Sequence, residues 1–184
     1  MMRSIAIQKK KENIAEYILF MWQVEDLLRG SNFDLERLNY TILEGIADEE
    51  ERKASLKWLK DISEKMKNEA IEQSGHLPEL NELITEILFV QNTLLTTIND
   101  VKFKGYYHEV QPLLKEFSKK SDGIPKSDVE NCLNALYGVL LLRLQKKEIS
   151  PETEEAIGLF SRYMAYLSAA YHKMKSGDLK FKNN

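Results

Sequence analysis

The feature that most constrains this chain is the spacing of its apolar residues. They recur every three or four positions almost from end to end, and no segment of the 184 residues alternates in the manner of a strand. Four prolines and eight glycines punctuate the pattern, most of them where a helix would begin or end. The expected class is therefore all-α: a compact bundle of six or seven helices with no sheet. Phosphate-binding loops and strand-end active sites that depend on a sheet are not expected.

Composition narrows the partners. The chain is 43% apolar and 30% charged, as in a globular protein that folds in water, and its length suits one domain over 1–184 or at most two closely packed halves. A net charge of −3 gives no global basic field, so nucleic acid is not the expected partner. Cys132 is the lone cysteine, which excludes an internal disulfide and a cysteine zinc cluster. Arg3, Lys9–Lys11 and the apolar patch Ile18–Trp22 imitate a signal peptide, but Glu12 and Glu16 interrupt the approach and no small-residue cleavage pattern follows. The uncharged stretch Asn131–Leu142 is too short to span a bilayer. The expected setting is cytoplasmic, without a membrane partner.

The stripes place the elements. A first helix runs from about Ile5 or Lys11 to Arg29 on Ile14, Ile18, Met21 and Leu28, and a shorter one spans Asp34–Leu43. Asp48 caps a third, amphipathic helix that ends near Ser74–Gly75. A fourth covers 77–103, with Leu80, Ile84, Ile87, Gln91, Leu94, Ile98 and Val101 in a heptad seam. The pattern breaks around Gly105–Tyr107, Pro112 marks a new start or a kink, and Ser121–Pro125 reads as a loop. Ser127 with Glu130 forms a capping box for a helix to about Lys147. The last helix runs from Pro151 to about Ser176–Gly177, and a frayed tail carrying Lys180 and Lys182 is expected after it.

Few residues suggest chemistry. Helical di-metal sites need Glu three residues before His, yet His76, His108 and His172 follow Gln73, Gly105 and Ala169, so no metal or cofactor is expected. Glu72 and His76 are four apart and can meet, or His76 can finish a helix C-terminus. Cys132 reads as a small buried hydrophobe rather than a nucleophile. Glu25 falls on the apolar stripe of the first helix and must be paired or protonated if buried. Arg143 poses the same problem after Val139–Leu142 and is the first candidate partner for Glu25; the alternative places both head groups in water. Gln91 interrupts the fourth seam, where it sets register, bonds locally or lines a pocket. Tyr17 and Tyr137 join Glu25, Gln91 and Arg143 as candidates for lining a pocket between helices. Tyr106–His108, between Lys102, Lys104 and Lys115, is a weak single-stranded nucleic-acid signal, more simply read as a loop with aromatic anchors. Trp22 and Trp58 read as packing residues.

The last helix carries two faces. Ala156, Phe160, Tyr163, Leu167, Tyr171 and Met174 form a large stripe, while Gly158, Ser161, Ala165, Ser168 and Ala169 form a row of small residues nearly opposite. That row suits either a central helix or a contact between two copies of the chain.

Three stretches, Tyr17–Arg29 (YILFMWQVEDLLR), Ser74–Leu80 (SGHLPEL) and above all Asn134–Thr153 (NALYGVLLLRLQKKEISPET), together with length and helix order, resemble an uncharacterised domain-of-unknown-function family of small helical proteins from gut-dwelling anaerobic bacteria. The resemblance covers nearly the whole chain and implies an all-helical domain; it brings no activity, cofactor or site residue. The expected function is a non-enzymatic interaction or scaffold protein, with a homodimer or protein partner as its counterpart. The alternative is a small-molecule-binding protein or enzyme with a pocket between helices.

Overall fold

The computed structural model describes residues 1–120 and 126–178, with Lys120 described in its backbone alone. The expected loop at 121–125 and the expected tail beyond 178 lie outside those residues. Among the described residues there are eight α-helices, two π-helical turns and no strand. The all-α expectation holds, and the count exceeds the expected six or seven. Contacts divide the chain into two compact units, Met1–Glu82 and one that begins at Leu83, the division falling inside a helix.

The first unit holds α1 (Met2–Glu12), α2 (Ile14–Gly30), α3 (Leu35–Leu38) with the π-helical turn Asn39–Leu43, α4 (Glu49–Asn68) and the start of α5 (Pro78–Asn92). Helices α1, α2 and α4 pack on one another, and α3 and its π turn rest on α4. The stripe read from the sequence is the core: Ile14, Ile18, Met21 and Leu28 are buried on α2, and Leu59, Ile62 and Met66 on α4. The first helix is split because Asn13 leaves the helical region (φ −151°, ψ 103°) and its Oδ1 accepts the N–H groups of Ala15 and Glu16 at 3.1 and 3.2 Å. Those donors would be orphaned at a helix start, and the asparagine satisfies both.

The second unit contains the remainder of α5, the π-helical turn Thr93–Thr97, α6 (Val101–Lys120), α7 (Asp128–Leu144) and α8 (Pro151–Ser176). Helix α8 packs on α6 and α7, which also touch each other. Phe160, Tyr163, Leu167 and Tyr171 of its large stripe are buried, as are Phe103, Val110, Leu114, Cys132 and Leu133 on the helices it packs against. The heptad seam holds from Leu80 to Ile98, but Val101 is 78% exposed. The reason is a break absent from the expected 77–103 helix. Thr93 and Thr96 turn their hydroxyls onto the carbonyls four residues back, Asn99 takes a left-handed φ of 56°, and Asp100 accepts the N–H of Phe103. Helix α6 in turn runs through Gly105–Tyr107 without interruption and contains Pro112.

Helix ends explain most other differences in length. Helix α4 stops at Asn68, six residues before the expected Ser74. Ala70 sits at φ 53°, its N–H reaches the carbonyl of Lys67, and that of Ile71 reaches Met66. This is a Schellman ending, whose left-handed position usually holds glycine. The same pair of bonds closes α2 at Asn32 and Phe33, α7 at Lys146 and Lys147, and α8 at Gly177 and Asp178. Only α8 has glycine at the left-handed position, and its end at Ser176 falls within the expected Ser176–Gly177. Side chains at that φ cost about 1 kcal/mol or more relative to glycine. Ala70→Gly is therefore expected to stabilise the protein by up to about 1 kcal/mol, offset in part by the added freedom of the unfolded chain. Urea unfolding with an unchanged slope checks it.

Candidate functional site

The first unit is organised around a row on α2. Trp22, Glu25 and Arg29 stand three and four residues apart, hence on one helix face. All three meet the segment between α4 and α5. Glu25 is 0% exposed; one carboxylate oxygen accepts the Leu77 N–H at 2.8 Å and the other lies 2.6 Å from His76 Nδ1. The Trp22 indole stacks on the His76 ring, centroids 4.4 Å apart and planes 16° from parallel. Arg29 donates to the carbonyls of Ile71 (3.2 Å) and Gly75 (2.5 Å) and to Asp26 (3.0 Å). A carboxylate held away from water is tolerable only when donors meet it, and here a backbone amide and an imidazole do so.

Two sequence expectations are corrected by this geometry. Glu25 pairs with His76 rather than Arg143, while Arg143 is exposed and bonds Glu154 at 2.5 Å in its own unit. Of the two alternatives, Glu25 is the buried acid, while the long Arg143 side chain has its head group in solvent and takes the Glu154 carboxylate on α8. His76 neither closes a helix nor meets Glu72, because α4 has ended eight residues earlier. A carboxylate on one nitrogen of an imidazole fixes the ring's tautomer and orientation, as a base or a metal ligand requires. No three His, Cys, Asp or Glu side chains gather around a metal-sized space among the described residues. In this structure the pair clasps a segment.

Tyr17 lines a second feature of the first unit, a cavity of about 600 Å³ that also touches Met21, Trp58, Ile62, Lys10 and Glu79. Lys10 lies over the Tyr17 ring at 5.3 Å and Lys65 bonds Glu79 at 2.7 Å. Burial, then the Glu79 charge, pushes the Tyr17 hydroxyl up. Burial alone would raise the Glu79 carboxyl, but hydrogen bonds from Lys65 and its own backbone, with the charges of Lys65 and Lys10, hold it below its usual range.

Tyrosines organise the second unit. The Tyr163 hydroxyl donates to buried Gln91, Tyr166 to Asp100 (2.8 Å), Tyr171 to Glu86 (2.9 Å) and Tyr107 to Asp128 (2.8 Å). Gln91 thus serves as a cross-helix anchor rather than a local one. The Tyr106 and Tyr107 rings face Tyr166 and Tyr163 at 5.6 and 6.4 Å, so the aromatics of the weak nucleic-acid signal are engaged within the fold. Burial, with the Asp100 hydrogen bond and charge, pushes Tyr166 up to about 12. Cys132 is buried and its thiol is pushed up, first by burial and then by Asp128. The Tyr107–Asp128 bond joins α6 to the first turn of α7. Where they meet the first turns of α8, they leave a cleft of about 370 Å³ walled by Phe117 and Phe160.

The five candidate residues are divided between the two units. Glu25 and Tyr17 serve different features of the first unit, Gln91 and Arg143 take separate partners in the second, and Tyr137 is half-buried on α7 and lines neither cavity. The residues missed in the sequence are Trp22 and His76 as partners of Glu25. Glu25 and His76 are 51 residues apart, and no local pattern joins them. The two stretches YILFMWQVEDLLR and SGHLPEL are the ones this clasp brings together.

These features define a class: an all-helical protein whose buried polar groups fasten helices and segments to one another. More particularly, the chain belongs to the family described as a domain of unknown function (DUF4924), whose sequence model matches residues 2–178. The chain has no match among curated proteins and none among solved structures.

Two outcomes test the site. Glu25→Ala leaves the Leu77 N–H and His76 without their acceptor and is expected to cost about 3 kcal/mol. Glu25→Gln keeps an oxygen for Leu77 and can donate its amide to the other tautomer of His76, so a cost of about 1 kcal/mol is expected from denaturant unfolding. Tyr166 loses its proton near 12 in the folded protein against 10.0 when unperturbed. Its contribution to stability is complete below pH 10 and is lost as pH rises toward 12. Tyr166→Phe should lessen the fall in stability across that interval in alkaline unfolding curves, the other tyrosines raised by burial supplying the remainder.

Proposed function

We propose that this protein acts through contacts rather than bond chemistry, as an interaction protein that pairs with a second copy along the outer face of α8. The observation that carries this reading is the exposure of the small-residue row. Ser161, Ala165 and Ala169 lie at the surface and Gly158 is half-buried, while Ser168 alone of the row faces the core. Small side chains let a second helix approach closely between Gly158 and Ala169, about 17 Å along the helix at 1.5 Å per residue. The charges on the helix are polarised: Glu155 stands near its start and Lys173 near its end, while Glu154 and Lys175 already bond Arg143 and Glu86. An antiparallel copy sets acid against base at both ends, which is the self-complementarity a two-fold contact requires. A cytoplasmic setting belongs to the same proposal. It is supported by the buried reduced Cys132 and by the finding that no described helix is long and apolar enough to cross a membrane.

Sedimentation equilibrium and native mass spectrometry test it. A dimer is expected at about 100 μM, weakening as added salt screens the paired ends. Ala165→Glu places a charge in the middle of an exposed face and should give a monomer with unchanged thermal stability. A monomeric wild-type protein at that concentration, or a dimer that survives Ala165→Glu, would count against the reading. The alternative of a small-molecule-binding protein is favoured by a different observation, the cleft between α6, α7 and α8.

A further inference from the structure

We infer that α1 is a latch: it opens as one piece about Asn13 while the rest of the first unit stays folded, and its opening uncovers the groove between α2 and α4 in which it lies. Helix α1 packs on α2 and α4, yet Ala6 is its single buried residue. Ile7, the next residue, is 57% exposed. The space under the helix is incompletely filled. A cavity of about 250 Å³ lies between Arg3 and the α4 residues Ala54, Lys57 and Asp61. The cavity of about 600 Å³ separates Ala6, Ile7 and Lys10 from Met21 and Ile62, and Trp58 lines both spaces. A helix fixed by core packing interdigitates with its neighbours and leaves few voids, and α1 does not.

The polar contacts of α1 break at little cost. Ser4 donates to Glu51 at 2.6 Å and Lys9 bonds Glu16 at 2.7 Å, both at the surface, and Lys10 lies over the Tyr17 ring at 5.3 Å. The Met1 amino group reaches Glu51 and, at 3.2 Å, the Ser55 hydroxyl. Exposed ion pairs of this kind contribute little to stability. Helix α1 starts without a side-chain cap or an acidic residue in its first turn, and at 11 residues it is too short to persist once detached. The hinge is already in place. Asn13 is extended and its side chain caps α2, so α2 keeps its own start when α1 leaves. The Glu25 clasp then holds α2 to the segment before α5 without help from α1. What opening exposes is the far wall of the two cavities, Trp58 with Met21 and Ile62. Helix α8 belongs to the other unit, so this inference and the paired-copy reading stand or fall separately.

Amide exchange followed by NMR on the full chain tests the latch. The amides of Gln8–Glu12, next to the hinge, should share one protection factor with those of Ile5–Ile7, at least about a hundredfold below that of Ile18–Leu28. A protection that climbs steadily from Ile5 to Glu12 would mark a fraying end instead. Equal protection in α1 and α2 would mark a fixed helix, and no protection in α1 an unseated one. Each of these three patterns would overturn the inference. Ala6→Asp sets a charge at the one buried position of α1. It should remove the protection of α1, leave that of α2 and α4 within about threefold of the wild type, and increase quenching of tryptophan fluorescence by acrylamide. A folded Ala6→Asp protein in which α2 and α4 lose protection together with α1 would also count against the latch. Where that variant does not fold, the pattern along α1 in the wild-type protein decides.

Discussion

A carboxylate removed from water must find donors, and in the first unit that requirement falls on Glu25. The helix that carries it is otherwise apolar on the buried side, so water cannot reach the acid and the chain must supply the bonds. It does so with the segment after α4. Leu77 presents an amide at the entry to α5, His76 presents a ring nitrogen, and Trp22 covers the ring from the helix. Arg29, one turn further on, collects two carbonyls of the same segment. A segment with few apolar anchors of its own is thereby held in one path by polar contacts that would each be costly to leave unmade. The starting point of α5 follows from that path.

The second unit solves a different problem. Helix α8 turns three tyrosines to its neighbours, Tyr163 and Tyr171 in the buried stripe and half-buried Tyr166 beside it, each with a hydroxyl that also needs a partner. Each hydroxyl reaches a different acceptor, Gln91, Asp100 or Glu86, at successive levels of α5 and the start of α6. An apolar stripe alone would allow α8 to slide by a turn at modest loss. Three hydrogen bonds at fixed levels make a slide leave buried hydroxyls unpaired, so they set the axial position of the helix as well as its orientation. The outer side of the same helix carries no such anchors, and its small residues remain at the surface.

Much of this was legible in the residues. Helical periodicity located the core of both units, and the caps at Asp48, Ser127 and Ser150 each accept backbone amides as their types suggest. The helix ends were harder to read because the backbone used left-handed positions at Asn32, Ala70, Asn99 and Lys146, and two of these residue types give no local warning. Gly30, by contrast, reads as a terminator yet is the last residue inside α2. Glu25 announced itself as a misplaced charge, but its partner could not be read from spacing, since tertiary pairing across 51 residues leaves no periodic trace. The cleft was illegible for a related reason. Ala135 and Ala156 are unremarkable helix formers in sequence, and they line a cleft only once α7 and α8 pack together.

The burial of Cys132 has a kinetic meaning. Its sulfur lies in the core beside the carbonyl of Phe160, 3.7 Å away, and its thiol is held protonated. A thiol reagent or an oxidant needs both access and the thiolate, and the closed fold denies both. The lone cysteine therefore behaves as a clock for the separation of α7 from α8. Its labelling rate counts how often that contact opens, and occupancy of the neighbouring cleft would slow the clock without any change at the sulfur itself.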